Sequence, residues 1–180
     1  MKTQTSRTTQ RGVTWLETCI VLAILGITSG AAVPAMGGLI DARRLEGTAV
    51  QFATDVQFAR SEAVARNRPV RISLFATAQG SCYVVHTGAS ALCPCTGAAP
   101  AVCSGDAREI KTVALPSGEG VTLAANAASV LFDPMHGTST PSATFRVLGR
   151  HGRAIHQVIN VMGRVRSCTP AGTVPGYPVC

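Results

Sequence analysis

The sequence predicts an α+β fold in which an antiparallel sheet wraps on one long helix, and three features carry that prediction. The first is an apolar seam, Leu45, Ala49, Phe52, Val56, Ala59 and Ala63, whose spacing of four and three residues is that of one helix face. The second begins at Val70, where the seam gives way to short stretches of alternating character separated by Gly, Pro, Ser and Asn clusters. The third is the order of the two. A helix followed by a run of strands calls for an α+β arrangement rather than a parallel α/β one.

The chain has 180 residues, enough for one modest globular domain beside an apolar N-terminal segment. Residues 1–12 are polar and basic, and from Val13 the chain is apolar as far as Val33, just before Pro34. A hydrocarbon core about 30 Å thick needs roughly 20 helical residues, which this run supplies. A secretory signal would place a small-residue cleavage site after the apolar core, and none stands out. Gly12 instead lies directly before the core, so a cut there leaves the helix on the mature protein. Glu17 is the exception within the run. A lone carboxylate in hydrocarbon is unfavourable and calls for a partner, and the nearest is a new α-amino group on Val13 of the same or a neighbouring subunit. Snorkelling to the headgroups is the alternative for a residue this near the helix end.

The second half of the helix ends before Pro69, because the residue preceding a proline is pushed out of the helical region. One helix over 13–68, kinked or loosened near Pro34, is therefore expected. Glu46, Gln51, Thr54, Asp55 and Glu62 fall on its other faces. Strands are expected at 70–74, 81–85, 110–115, 121–124, 130–132, 144–148 and 154–166. The Ala-, Pro- and Gly-rich stretch 88–105 reads as a long loop, and the tail 169–180, with three prolines, as irregular.

Seven cysteines point to an oxidising compartment. Cys19 lies in the apolar segment as an ordinary buried thiol, and Cys82, Cys93, Cys95, Cys103, Cys168 and Cys180 form an even set. Proximity makes Cys168–Cys180 the best single pair and leaves the other four to pair among themselves. A metal site on Cys93, Cys95 and Cys103 is the rival, but the spacing is not that of a zinc site and no histidine lies nearby. Neither a metal nor a cofactor is expected.

Lys2, Arg7 and Arg11 precede the apolar run, and without them thirteen basic and nine acidic residues leave a net charge of +4. The distribution matters more than the total. No acidic residue follows Asp133, whereas Arg146, Arg150, Arg153, Arg164 and Arg166 do, which points to an anionic partner. Catalysis has no support. The chain lacks G-x-S-x-G, H-E-x-x-H and phosphate-loop motifs, and its four histidines are scattered without carboxylate partners.

Gly12, an apolar residue after it, Glu17 five positions on and Pro34 at the twenty-second mature position together resemble the class III leader of type IV pilins and pseudopilins. Val13 stands where Phe or Met is commoner and Trp15 where an aliphatic is usual. The resemblance implies a type IV pilin-like roll made in three parts. Residues 1–12 are a leader removed by prepilin peptidase, which also methylates Val13. Residues 13–36 are the transmembrane and filament-core helix, in which Glu17 serves assembly. Residues 37–180 are a periplasmic head, helical to about 68 and then β. The protein would be a single-pass inner-membrane protein assembled with other pilins or pseudopilins into a pilus or pseudopilus.

Three further stretches, 59–70, 132–138 and 159–166, resemble the FimT/GspH branch of pseudopilins across nearly the whole mature chain. Gly163-Arg164-Val165-Arg166 is similar to the Gly-Arg-x-Arg element associated with DNA binding in FimT proteins of competent bacteria. On a strand over 154–166, Ile155, Ile159, Val161 and Val165 share one face, with Gln157 as the exception. Arg164 and Arg166 share the other face, about 7 Å apart, close to the separation of successive phosphates on one nucleic-acid strand. Gly163 would keep the surface beside them low, and the turn 149–153 would add Arg150 and Arg153 at the same edge.

Guanidinium groups grip phosphate oxygens in a bidentate way. Only Tyr177 looks free to stack on bases, so binding to double-stranded DNA should be backbone-dominated and non-specific. Four phosphate contacts give a log–log salt slope of about −3.6. The competing roles are a structural minor pilin for pilus assembly or tip priming, and a type II secretion pseudopilin of the GspH type.

Overall fold

The structure is a computed structural model that describes residues 13–96 and 100–180, without the side chains of residues 31–36. The leader assigned to residues 1–12, with its cleavage residue Gly12, lies outside the described residues. The chain forms two compact units, Met1–Leu39 and Ile40–Cys180. One helix, α1 (Trp15–Arg66), supplies most of the first and opens the second.

In the first unit, Thr14 caps the helix. Its Oγ1 accepts from the Glu17 backbone N–H at 3.3 Å, so the Thr14-x-x-Glu17 spacing places an acidic residue in the first turn, where the helix dipole favours negative charge. This is a local role for Glu17 that its place in the apolar run did not suggest. Cys19 is a free thiol, exposed here rather than buried. Among the described residues no helix is long and apolar enough to cross a membrane. The span expected over 13–36 includes the side chains of 31–36, which lie outside that set.

In the second unit the apolar seam of α1 is fully buried at all six positions. The helix stops at Arg66, two residues earlier than expected, because Asn67 takes a left-handed conformation (φ 47°). Asn67 N–H then donates to Val64 C=O and Arg68 N–H to Ala63 C=O, a Schellman stop that satisfies two terminal carbonyls.

Among the described residues nine strands follow: β1 (Val70–Thr77), β2 (Gly80–Thr87), β3 (Glu109–Pro116), β4 (Thr122–Ala125), β5 (Ser129–Phe132), β6 (Ser139–Thr140), β7 (Ala143–Leu148), β8 (Ala154–Ile159) and β9 (Val165–Cys168). They form two antiparallel sheets, in the orders β3-β2-β1-β5-β6 and β4-β7-β8-β9.

Phe52 joins the helix to both sheets. Its ring meets Tyr83 of β2 edge-on, with centroids 5.1 Å apart, and Phe145 of β7 at 4.6 Å. Asp55, expected on a polar face, is buried beside it. One carboxylate oxygen accepts from the Tyr83 hydroxyl at 2.7 Å and the other from Lys111 Nζ at 2.6 Å. Gln157, the exception on its face of β8, is buried too and donates to the Ala49 carbonyl at 3.0 Å. Both of these buried polar groups are thus held by a partner that ties α1 to a strand.

The disulfides are Cys82–Cys95, Cys93–Cys103 and Cys168–Cys180, so the cysteines of the rival metal reading are used up in cystines. The first two fold the loop after β2 back over the outer face of the five-stranded sheet, where Cys82, Val84, Cys93, Cys95 and Ala107 make a small second core.

Beside that core, His86 is buried. Its Nδ1 faces the Thr87 carbonyl at 2.9 Å and its Nε2 faces Ser73 Oγ at 2.8 Å, an arrangement that suits a neutral ring. Burial lowers its pKa below the ordinary 6.5. The unfolded chain therefore binds a proton that the folded chain refuses. Stability is complete above about pH 6.5 and falls as the pH drops through the lowered folded value. The expected loss is up to about 1.4 kcal/mol per pH unit while the ring stays neutral. Thermal melts at pH 7.5 and 5 should show a marked drop for the native chain and a smaller one for His86→Gln.

Candidate nucleic-acid interface

The strand expected over 154–166 is broken in two. β8 ends at Ile159, and residues 160–164 turn the chain back into β9. Asn160 makes the turn: its Oδ1 accepts from the N–H groups of Met162 at 3.1 Å and Arg164 at 2.9 Å, while its carbonyl accepts from Gly163 N–H at 2.9 Å. Gly163 sits at φ 70°, the left-handed position of a three-residue hairpin loop. Val161, expected to face inward, is 60% exposed on this turn.

Gly163 is buried and does not keep the outer surface low. A Cβ there would lie 2.5 Å from the Gly137 carbonyl oxygen and 3.1 Å from Arg60 Cδ. Arg60, on α1, donates from Nε to that same carbonyl at 2.8 Å. Ser139 clamps the two loops together, its N–H donating to the Val161 carbonyl at 2.9 Å and its Oγ to the Asn160 carbonyl at 2.6 Å. Asp133 shapes the second loop by accepting from Met135 and His136 N–H. The three stretches singled out in the sequence therefore meet at one joint.

Beyond the joint, Arg164 and Arg166 are both exposed and the residue between them, Val165, is less so, which places the two arginines on one face as the alternation required. The register extends that face. Arg166 lies opposite Val158, which lies opposite Thr144, and Arg146 lies opposite His156. Arg146 is therefore on the same outer face, two strands from Arg166 and about 12 Å away. In the sequence Arg146 stands out only as part of a basic stretch. The alternation of Phe145 and Val147 inward against Arg146 outward was the signal that could have placed it. Arg146, Arg164 and Arg166 make no ion pair with any described residue, and no acidic residue shares this face. His156, beside Arg146, is held below its ordinary pKa by desolvation and by that arginine, so it adds no charge at neutral pH.

Arg150 and Arg153 do not join the group. They lie in the β7–β8 connection, at the opposite end of β8 and about 20 Å from Arg164. Arg150 is also occupied, with Nη1 3.6 Å from Asp41 and Nη2 3.4 Å from the Gly118 carbonyl, and Arg153 is half-buried. Tyr177 packs against the main core, so it offers no stacking platform. The face can hold phosphates through three guanidinium groups, and it presents nothing that reads bases by stacking. Among the described residues no group of His, Cys, Asp or Glu could hold a metal ion.

Residues 48–163, more than half of the chain, match the family described as type II transport protein GspH. The pilin-like protein PilA1 of Thermus thermophilus is 40% identical over 74 residues, which are 40% of this chain and 45% of that protein, so the chain spans about half the length of that relative. The type IV minor pilin FimU of Pseudomonas aeruginosa has a similar structure, with a TM-score of 0.51 at 18% identity, over 72% of this chain and 94% of FimU. That likeness shows the pilin fold.

The joint at Gly163 makes a comparison of two glycines informative. Gly152 has nearly the same backbone (φ 72°) but open space where its Cβ would go. Gly152→Ala should cost only the left-handed penalty of about 1 kcal/mol. Gly163→Ala should cost at least about 1 kcal/mol more in denaturant melts, because it also displaces the Gly137 carbonyl. Equal losses would mean that the contact with Gly137 has no structural weight.

Proposed function

The chain belongs to the GspH family of type II transport proteins and has the fold of a type IV minor pilin, and on that premise we propose that it is a minor pilus pseudopilin whose head binds double-stranded DNA during uptake. The observation that carries this reading is the trio Arg146, Arg164 and Arg166, exposed and unpaired on a sheet face without acidic residues. The similarity of Gly163-Arg164-Val165-Arg166 to the element of FimT proteins supports it. Binding is to the phosphate backbone and is independent of sequence to first order. Many copies in a filament strengthen it through avidity.

The proposal includes the rest of the pilin pathway. Prepilin peptidase cuts after Gly12 and methylates Val13, residues 13–36 anchor the chain in the inner membrane, and residues 37–180 stand in the periplasm. In the assembled filament Glu17 pairs with an α-amino group at Val13. A second reading, favoured by the family match itself, gives the head a role in secretion or pilus assembly. A deletion strain separates them: DNA uptake lost with pili intact belongs to the first reading, and secretion or piliation lost belongs to the second.

Three phosphate contacts give a log–log salt slope of about −2.7. Fluorescence anisotropy of a labelled duplex with the full chain in detergent, titrated between about 50 and 200 mM salt, should return that value. Arg164→Gln with Arg166→Gln should reduce the slope to about −0.9 and weaken binding at low salt more than tenfold. Unchanged affinity in the double variant, or no binding by the native chain at low salt, would overturn the reading.

A further inference from the structure

The hairpin that carries Arg164 has an apolar tip. Val161 is 60% exposed and Met162 is 57% exposed, although both stand at the end of a well-built sheet. Exposed apolar side chains at a loop tip are usually mobile, but this tip is fixed. Asn160 Oδ1 holds the N–H groups of Met162 and Arg164, and Ser139, the first residue of β6, binds the carbonyls of Asn160 and Val161. Gly163 seats the turn on Gly137 and Arg60. Met162 is thus presented on a rigid support, two residues before Arg164 and four before Arg166. An apolar tip ordered in this way has little conformational freedom left to lose on insertion into a partner.

We propose that Met162, with Val161 beside it, enters the minor groove of duplex DNA as a wedge between base pairs while Arg164 and Arg166 hold the flanking phosphates. The inference rests on the DNA reading of the arginine face and extends it to the geometry of the complex. Charge complementarity selects the occupant. Arg164 and Arg166 follow the tip on a face without acidic residues, and Asp133 in the loop on its other side is paired with His136, which suits a polyanion whose stacked bases offer apolar faces between two rows of phosphates. Apolar wedges of this kind, methionine among them, partly unstack a base step and kink the duplex by tens of degrees. The consequence is a preference that phosphate contacts alone cannot give: steps that unstack easily, such as TA and CA, are favoured over stiff A-tracts.

The test uses the full chain in detergent and duplexes of about 30 base pairs labelled at both ends for energy transfer, one with a central TA step and one with a central A-tract. The native chain should raise transfer on binding and favour the TA duplex several-fold. Val161→Ser with Met162→Ser should abolish the change in transfer, erase the preference and weaken binding roughly tenfold, with the salt slope unchanged. Met162→Leu should retain all three effects. Binding by the native chain without any bend, or a serine variant that bends DNA as the native chain does, overturns the wedge and leaves the arginine reading standing. A serine variant that binds DNA normally but no longer enters filaments assigns the tip to a neighbouring subunit and also overturns the wedge. No binding by the native chain removes both.

Discussion

The hydrogen bond from Arg60 to the Gly137 carbonyl, with Gly163 lying over it, is the contact on which the arginine face depends. It ties three distant parts of the chain together: the helix, the loop after β5 and the turn between β8 and β9. A charged donor on a partly buried carbonyl is stronger than a neutral pair, and the closeness of the Gly163 backbone leaves no room for slippage. Because Ser139 adds two further bonds between the loops, the turn is held from below and from the side. Arg166 then projects from β9 and Arg164 from the last residue of the turn, whose carbonyl accepts from Asn160 N–H at 3.1 Å, so the fixed start of the strand sets their separation.

The two sheets are treated differently on their outer faces, and the difference bears on function. The outer face of the five-stranded sheet is covered by the cystine loop, whose second core buries Cys82 and Val84. On the four-stranded sheet, Cys168–Cys180 draws the tail against the strand end, where Thr169 N–H donates to the Pro178 carbonyl and Cys180 N–H to that of Thr169. Arg146, Arg164 and Arg166 remain exposed. Inside, Phe52 touches both sheets and Asp55 is satisfied by Tyr83 and Lys111, so the helix fixes the sheets from a single turn of its length.

Much of the fold was legible because two periodicities dominate the sequence. The helical seam is buried at all six positions, and six of the seven expected strands have a counterpart within a few residues. The failures share a cause. Asp55 and Gln157 interrupt their patterns, and they are buried because partners far along the chain satisfy them, which spacing cannot show. The single strand over 154–166 ignored the turn chemistry of Asn160 and Gly163, and that error misassigned Val161 and the purpose of the glycine. Arg150 and Arg153 were grouped with Arg164 on the expected fold-back of the turn 149–153, whereas antiparallel pairing puts them at the other end of β8. Arg146 was missed for the reciprocal reason, since only the register brings it to the same face.

The fold therefore divides five arginines that composition had treated as one group, and the division can be measured. The salt dependence of duplex binding should be compared for Arg146→Gln and for Arg150→Gln with Arg153→Gln, each in the full chain. The single substitution on the sheet face should lower the magnitude of the log–log slope by about 0.9, and the double substitution at the far end of β8 should leave it unchanged. A slope reduced by the distant pair and untouched by Arg146→Gln would contradict the assignment of the sheet face.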